Sequence, residues 1–264
     1  MLRVHSLYCF PVKSLAVASC RAVTVDDWGP SGDRRWMVVD EAGAFVTQRQ
    51  LPAMCRIQAS WRDAELLLQD LDHPQEAARV DIPRENVVSV KVWRDDCTAW
   101  DAGDEAADWL SQRLGRAVRL CFMPDSSFRQ VDLDYAQPGE RVSFADGFPF
   151  LICQLSSLSK LEEAVGHRLA MSRFRPNIVV EGGEAFAERH WRGLRIGELE
   201  FDLVKPCARC AIPTIDPATA ERQRNVFTAL RALCSDGREV HFGQNALHRG
   251  QGQVRVGDPV TVLS

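Results

Sequence analysis

Two cysteines three positions apart are the residues with the clearest chemical potential in this 264-residue sequence. They lie in the segment Lys205-Pro206-Cys207-Ala208-Arg209-Cys210, with an arginine between them. Thiolates are soft ligands and favour soft metals over magnesium or calcium. A cationic neighbour stabilises the thiolate and so keeps a thiol in its reactive form. The segment therefore predicts a sulfur that is held ionised for a metal or for redox chemistry.

Three simpler interpretations of the cysteine pair remain open. A structural zinc site needs four ligands, but the sequence has no second CxxC, and His241 and His248 do not have the usual spacing. A thioredoxin-like dithiol lies where a strand leads into a helix, and Pro213 and Pro217 oppose a helix here. Two buried structural cysteines would be the default interpretation if the segment stood alone.

The composition excludes several classes of protein. Hydrophobic residues make up 45% and charged residues 26% of the chain, values typical of a globular protein. Thirty-two basic and 36 acidic residues give a net charge of −4, which predicts neither a nucleic-acid partner nor an anionic membrane surface. No secretory signal and no apolar run of membrane-spanning length is present. Nine cysteines without an export signal indicate reduced thiols, so we expect a cytoplasmic protein.

The elements that must position the cysteines are mostly short strands. Segments rich in β-branched and aromatic residues, separated by turn residues, predict strands. They span residues 4–10, 21–25, 36–39, 45–48, 55–61, 65–69, 87–93, 178–180 and 199–204. The tail 253–263 resembles a strand pair around Gly257-Asp258. Helical spacing of apolar residues predicts helices over 104–114, 156–165 and 225–233. We therefore predict a β-rich α+β fold with barrel-like architecture and a few helices, divided into residues 1–120 and 121–264.

Five segments resemble the MOSC-domain family, in the branch with an extra N-terminal β-barrel domain that includes the mitochondrial amidoxime-reducing component. They occur in order over nearly the whole chain. These segments are Phe10-Pro11-Val12-Lys13-Ser14-Leu15, Gly32-Asp33-Arg34-Arg35-Trp36, Phe174-Arg175-Pro176-Asn177-Ile178-Val179, the cysteine segment, and Phe242-Gly243-Gln244-Asn245 with Val256-Gly257-Asp258. The resemblance implies a MOSC-type β-barrel with a smaller N-terminal β-barrel domain.

The resemblance also implies the molybdenum cofactor, a metal chelated by the dithiolene of a pterin that bears a phosphate. It marks Cys210 as the molybdenum ligand and catalytic residue, with Cys207 in a supporting role. The implied contacts to the cofactor are Lys13, Ser14, Arg34, Asp146, Arg175, Asn177, Ala208 and Arg209. Anionic phosphate suits this set, because arginine binds it through a planar fork and lysine as a point charge.

The activity implied by the resemblance is reduction of N-hydroxylated small molecules, such as amidoximes, hydroxylamines and N-hydroxylated bases. The sequence lacks the CxxxxCxxC run of a ferredoxin-like cluster, so we expect no intrinsic iron–sulfur cluster and a separate electron-donor protein. The alternative is a non-catalytic module that carries the molybdenum cofactor, or sulfur on Cys210. A purely structural or interaction protein is a third possibility.

Overall fold

A computed structural model describes residues 1–62 and 65–263 of the chain. Its α-helices are α1 (Asp104–Leu114), α2 (Leu155–Val165) and α3 (Arg224–Cys234). Its strands are β1 (Leu2–Cys9), β2 (Ala18–Cys20), β3 (Ala22–Asp26), β4 (Gly29–Pro30), β5 (Trp36–Val39), β6 (Ile57–Arg62), β7 (Glu65–Asp70), β8 (Ala77–Asp81), β9 (Val87–Val92), β10 (Asp95–Asp101), β11 (Arg119–Phe122), β12 (Phe150–Gln154), β13 (Ile178–Glu181), β14 (Gly193–Ile196), β15 (Leu199–Ala208), β16 (Ser235–Asp236), β17 (Glu239–Arg249), β18 (Gly252–Arg255) and β19 (Pro259–Val262). The predicted strand-rich class with few helices is confirmed.

Seven strands close into a barrel that uses the first strand of the chain and the strands of the second half. Their order is β12-β13-β1-β19-β14-β15-β17, and β17 pairs back with β12. Alternation along β15 buries Leu199, Phe201 and Leu203 and leaves the residues between them half-buried. These side chains pack with Phe150 and Ile178 in one apolar cluster. Each buried side chain of this size contributes about 1.5–3 kcal/mol, so the barrel is a stable frame for residues at the ends of its strands.

Two further sheets fill the first half of the chain. One has the order β5-β11-β10-β9 and the other β6-β7-β8. Helix α1 packs on them through Leu110 and Leu114, which join Trp36 and Phe122 in a second apolar cluster. A small sheet, β18-β3-β4, links this half to the end of the chain. The described residues form no helix with the length and apolar character needed to cross a bilayer.

Local sequence signals placed the helices well. Helix α1 has the predicted bounds and ends at Gly115, whose left-handed φ of +61° is the usual glycine C-cap. Helices α2 and α3 begin or end within one residue of their predicted limits. Asp63-Ala64, which separate the strands predicted at 55–61 and 65–69, lie outside the described residues. The predicted division at residue 120 falls within β11. It stays a prediction.

Two strand predictions were wrong. Residues 45–48 form only an isolated bridge at Phe45, because Gln50 accepts hydrogen bonds from the backbone and hydroxyl of Thr47 and closes a turn. The tail is not a strand pair, because β18 pairs with β3 while β19 pairs with β1 and β14. The backbone of the turn at Gly257-Asp258 instead forms hydrogen bonds with Val4 of β1. The strands on either side of this turn lie in different sheets.

Gly243 fits a tight position where β17 meets β12. Its φ is +77°, and an added Cβ would lie 2.6 Å from Cys153 Sγ and 2.9 Å from the Ile152 carbonyl oxygen. We expect Gly243→Ala to lower the free energy of unfolding by about 1–3 kcal/mol in urea denaturation. Gly237→Ala is the matched control, since Gly237 has a φ of +61° but open space around its Cβ position. Equal losses in the two variants would mean that contact with β12 plays no part.

Candidate functional site

All nine residues predicted to bind a ligand line a pocket at the ends of the barrel strands. Lys13 and Ser14 follow β1, Arg34 precedes β5, and Asp146 precedes β12. The others come from the segment before β13 and the end of β15, and are Arg175, Asn177, Ala208, Arg209 and Cys210. Residues from both halves of the chain are thus brought together, while what they bind stays a prediction.

The backbone of three pocket residues is strained. Ser14, Arg34 and Arg175 have φ values of +66°, +48° and +56°, in the left-handed region that side-chain-bearing residues rarely adopt. Each such residue costs on the order of 1–3 kcal/mol and persists only when surrounding contacts fix it. Main-chain hydrogen bonds from Arg34 to the Phe10 carbonyl (2.7 Å) and from Arg175 to the Ser172 carbonyl (3.1 Å) do so here. Strain of this kind is concentrated at functional sites, which supports the pocket as the site.

A buried network holds Arg34 in the pocket wall. Its guanidinium donates to the carboxylate of Asp33, to Asn177 Oδ1 (3.2 Å) and to the Arg175 carbonyl (3.0 Å). Asn177 is only 2% exposed, and its Oδ1 also accepts a hydrogen bond from the Leu151 backbone (3.2 Å). The Asn177 carboxamide therefore ties Arg34 to the barrel and fixes its orientation.

Arg175 carries a positive charge that the described residues do not neutralise. Its Nη1 donates to the Leu15 carbonyl (2.7 Å), but its buried Nη2 has no hydrogen-bond partner within residues 1–62 and 65–263. Its guanidinium lies 4.2 Å from the centroid of the Phe10 ring, and that of Arg34 lies 4.4 Å from the same centroid. Burial, and then the neighbouring charge of Arg34, lower the pKa of Arg175. A guanidinium remains protonated near neutral pH even so, and an anion in the pocket would stabilise it.

Arg209 supports the cysteine segment through main-chain contacts. Its guanidinium donates to the Phe242 carbonyl (2.9 and 2.6 Å) and to the Phe174 carbonyl (2.9 Å). Its backbone N–H donates to the Val240 carbonyl (2.8 Å). Among the residues that the structure describes, no carboxylate forms an ion pair with Arg209. Its charge is therefore a second one that an anionic ligand could neutralise.

Lys13 and Asp146 form an ion pair inside the pocket. Lys13 is 5% exposed, and its Nζ donates to Asp146 Oδ1 and to the Phe144 carbonyl (2.8 Å). The Asp146 side chain remains 73% accessible to solvent and also accepts a hydrogen bond from Trp93 Nε1 (3.3 Å). Partial removal from water raises the pKa of Asp146, but the charge and hydrogen bond of Lys13 outweigh this and hold it well below its usual range. Asp146 is therefore ionised at neutral pH and cannot act there as a proton donor.

We expect Asp146→Asn to be less stable than the wild type at pH 7 by about 1 kcal/mol, since the exposed partner is screened by solvent. The Asp146 pKa is lower in the folded than in the unfolded protein, so its contribution exists above the unfolded value of about 3.9 and is lost as pH falls further. The stability difference between the two proteins should shrink below pH ~4. Denaturation curves of the two proteins across this pH range test the prediction. A stability difference that does not change with pH would contradict the ion pair between Asp146 and Lys13.

The two cysteines occupy different environments. The Cys210 residue is exposed, whereas Cys207 is half-buried and packs against the apolar cluster of α2 and α3. Burial raises the pKa of the Cys207 thiol, although Arg209 opposes the shift, so the thiolate is disfavoured there. Strand β15 continues through Cys207 to Ala208, farther than the predicted limit at residue 204. A short 3-10 turn, Ile212–Thr214, follows instead of the helix that a thioredoxin-like dithiol requires.

The arrangement of side chains does not support a zinc site. Within the described ranges, no three histidine, cysteine, aspartate or glutamate residues come together in a way that could hold a metal ion. All nine cysteines are free thiols, including Cys207 and Cys210. A single protein sulfur that completes the coordination of a metal carried by another molecule remains compatible with this pocket.

Sequence reasoning missed two cations in the pocket wall. Arg173 is buried and donates to Asp216 (2.8 Å) and Gln223 (2.8 Å), and Arg49 has its guanidinium 4.7 Å from the Trp93 ring. Neither lies in a pattern that distinguishes it from an ordinary surface arginine. Six cations thus line the pocket: Lys13, Arg34, Arg49, Arg173, Arg175 and Arg209.

Only half of these six charges have a carboxylate partner among the residues described. Lys13 pairs with Asp146, Arg34 with Asp33 and Arg173 with Asp216. Because unpaired charges in a partly desolvated pocket are costly, the site favours an anionic ligand.

Comparison with known proteins defines the family. The pattern of the MOSC N-terminal beta barrel domain matches residues 1–117, and that of the MOSC domain matches residues 139–261. The chain therefore belongs to the MOSC-domain family, in the branch with an additional N-terminal β-barrel domain, and the resemblance drawn from the five motifs is confirmed.

Curated relatives fall into two groups. The chain is 31% identical to mitochondrial amidoxime-reducing component 1 of Mus musculus, over 98% of this chain and 82% of that protein. It is 29% identical to the molybdenum cofactor sulfurase of Homo sapiens over 93% of this chain, but it spans only 30% of that longer protein. Among solved structures, the YuaD protein of Bacillus subtilis is 12% identical over 98% of this chain and 94% of that chain, with a TM-score of 0.47.

Proposed function

We propose that this chain is a molybdenum-cofactor-dependent oxidoreductase that reduces N-hydroxylated small molecules, such as amidoximes, hydroxylamines and N-hydroxylated bases. One observation carries the proposal: the exposed Cys210 lies in the same pocket as three cations, Arg49, Arg175 and Arg209, that have no carboxylate partner in the described part of the chain. These cations would hold the anionic groups of a phosphate-bearing pterin, and Cys210 would supply a sulfur ligand to its metal. The similarity to mouse mitochondrial amidoxime-reducing component 1 supports the reductase assignment.

The residues present fit this cofactor. The buried Nη2 of Arg175, which has no partner among the residues that the structure describes, is a donor that an anionic ligand would satisfy. Lys13, Arg34, Arg175 and Arg209 supply the positive charge, and Cys210 supplies the metal ligand. Ser14, Asp146, Asn177 and the backbone near Ala208 complete the contacts. Each hydrogen bond to a charged group contributes about 1.5–3 kcal/mol, so a few suffice to retain the cofactor.

When bound, the cofactor supplies the redox chemistry that breaks the N–O bond. The chain's own residues bind and orient: the cations fix the anionic groups, and the rigid barrel fixes Cys210 relative to them. We further propose that a separate protein delivers the electrons, that the chain contains no iron–sulfur cluster of its own, and that it acts in the cytoplasm without a nucleic-acid or membrane partner.

A turnover assay tests the proposed function. Cofactor-loaded protein with an artificial electron donor is expected to reduce benzamidoxime to benzamidine. The benzamidine formed is measured by chromatography. Protein in which the cofactor is denatured or removed is the control. Absence of benzamidine at full molybdenum occupancy would contradict the reductase assignment.

A carrier of the cofactor, or of sulfur on Cys210, is the second candidate. The similarity to human molybdenum cofactor sulfurase favours it, since the match covers 93% of this chain. A carrier would retain cofactor without turnover and pass it to a cofactor-free acceptor enzyme. Transfer of molybdenum to such an acceptor, measured together with the turnover assay, separates the two functions.

A further inference from the structure

We propose that the turn of the β9–β10 hairpin selects the substrate: Trp93, with Arg49 and Phe45 behind it, binds the flat ring of planar, π-conjugated N-hydroxylated compounds. This inference rests on the proposed function and narrows its substrate class. Residues Phe45, Arg49 and Trp93 are called the hairpin rim below.

The hairpin rim lies directly beside the pocket. Val92 pairs with Asp95, so Trp93 and Arg94 form a two-residue turn. Trp93 Nε1 donates to Asp146 Oδ1 (3.3 Å), and Asp146 lines the pocket and pairs with Lys13. The indole is therefore tethered to the pocket wall by a defined hydrogen bond.

Partners behind the indole fix its position. The Arg49 guanidinium lies 4.7 Å from the centroid of the Trp93 ring, and the Phe45 ring centroid lies 5.0 Å away at an interplanar angle of 57°. Arg49 also lines the pocket, and it forms no ion pair among the residues that the structure describes. A fixed aromatic ring loses little conformational entropy when a ligand stacks on it, which favours binding.

The backbone conformation of this turn does not favour a tryptophan at position 93. Trp93 has a φ of +57°, a conformation unfavourable for a bulky side chain, and it remains 44% exposed. Glycine or asparagine would suit such a turn better. A large aromatic residue kept in a strained, exposed position next to a ligand pocket indicates a role in binding.

Stacking gives the rim its chemical preference. Indole offers a π-face to any flat conjugated ring, such as that of benzamidoxime, while the N-hydroxylated group extends into the cationic pocket. Hydroxylamine, which has no ring, gains nothing from this surface. The rim should therefore discriminate between the two compounds.

The decisive experiment compares benzamidoxime with hydroxylamine in wild-type protein and in Trp93→Gly, with an artificial electron donor. Glycine tolerates the φ of this turn, so the variant should fold, and its thermal denaturation is recorded as a check. We expect the ratio of kcat/KM for benzamidoxime to that for hydroxylamine to fall about tenfold. Calorimetry without reductant should show benzamidoxime binding weakened by a similar factor.

Two variants control the experiment. Trp93→Phe keeps a ring but lacks the N–H donor and should retain most of the discrimination. Asn86→Gly relieves a similar φ of +61° at another turn and should leave the ratio unchanged. A ratio unaltered in Trp93→Gly, or equal losses in the Gly and Phe variants, would overturn ring stacking while leaving the reductase assignment intact. Wild-type protein that reduces neither compound would overturn the proposed function, and this inference with it.

Discussion

Cys210→Ser is expected to abolish reduction of N-hydroxylated compounds and to weaken molybdenum retention, whereas Cys207→Ser should keep most of both. The reason is the difference between the two environments. The Cys210 residue is exposed in a pocket lined by six cations, while burial disfavours the thiolate of Cys207. Loss of groups that merely orient metal ligands already costs about tenfold to a hundredfold, so loss of the ligand itself should cost at least that much.

Two measurements compare the Cys207→Ser and Cys210→Ser variants: the rate of benzamidoxime reduction, and the molybdenum content per chain. Each cysteine variant serves as the control for the other, since they share the same segment and the same substitution. Cys234→Ser, in the buried face of α3, controls for the general effect of removing a buried thiol. Equal losses in Cys207→Ser and Cys210→Ser would contradict a single sulfur ligand and would favour a dithiol.

Arg175→Ala is expected to lower pterin content about tenfold to a hundredfold while changing the stability of the cofactor-free protein by less than about 1 kcal/mol. Arg175 is a desolvated cation near Arg34, has no carboxylate partner among the described residues, and leaves its Nη2 unsatisfied. Removing this guanidinium should change the stability of the cofactor-free protein little, but it removes a strong hydrogen-bond donor to an anionic ligand. Alanine keeps a side chain at the same left-handed φ, so backbone strain stays comparable.

Arg173→Ala, two positions earlier in the chain, is expected to lower stability, in contrast to Arg175→Ala. Arg173 is buried and paired with Asp216 at 2.8 Å, so its loss leaves a carboxylate without its partner. We expect a cost of about 3–5 kcal/mol in the free energy of unfolding. Thermal denaturation of cofactor-free protein and pterin fluorescence after denaturation measure the two quantities separately. If Arg175→Ala unfolds the protein as Arg173→Ala does, Arg175 has a structural role instead.

Much of the fold was predictable because its signals are local. Helix α1 was predicted from the helical spacing of its apolar residues, and β5 from its β-branched and aromatic residues. The strand predicted at 45–48 failed because a side chain three residues on, Gln50, captures the backbone of Thr47. The prediction that the strands of the tail pair with each other failed, because β18 and β19 pair with strands from the opposite end of the chain.

The candidate site was predictable only through family resemblance. Lys13 and Asp146 lie 133 positions apart, and no periodicity in the sequence indicates that their side chains meet. Arg49 and Trp93 belong to no motif, and their place beside the pocket follows from the β9–β10 hairpin and the turn after Phe45. Ion-pair partners such as Asp216 of Arg173 likewise require the folded chain.

Molybdenum and pterin content per chain, determined on natively purified protein, tests the central claim most directly. We expect both to approach one per chain in the wild type, with pterin sharply lower in Arg175→Ala and molybdenum sharply lower in Cys210→Ser. Wild-type protein that contains neither molybdenum nor pterin after expression in cells that make the cofactor would contradict the assignment of this pocket.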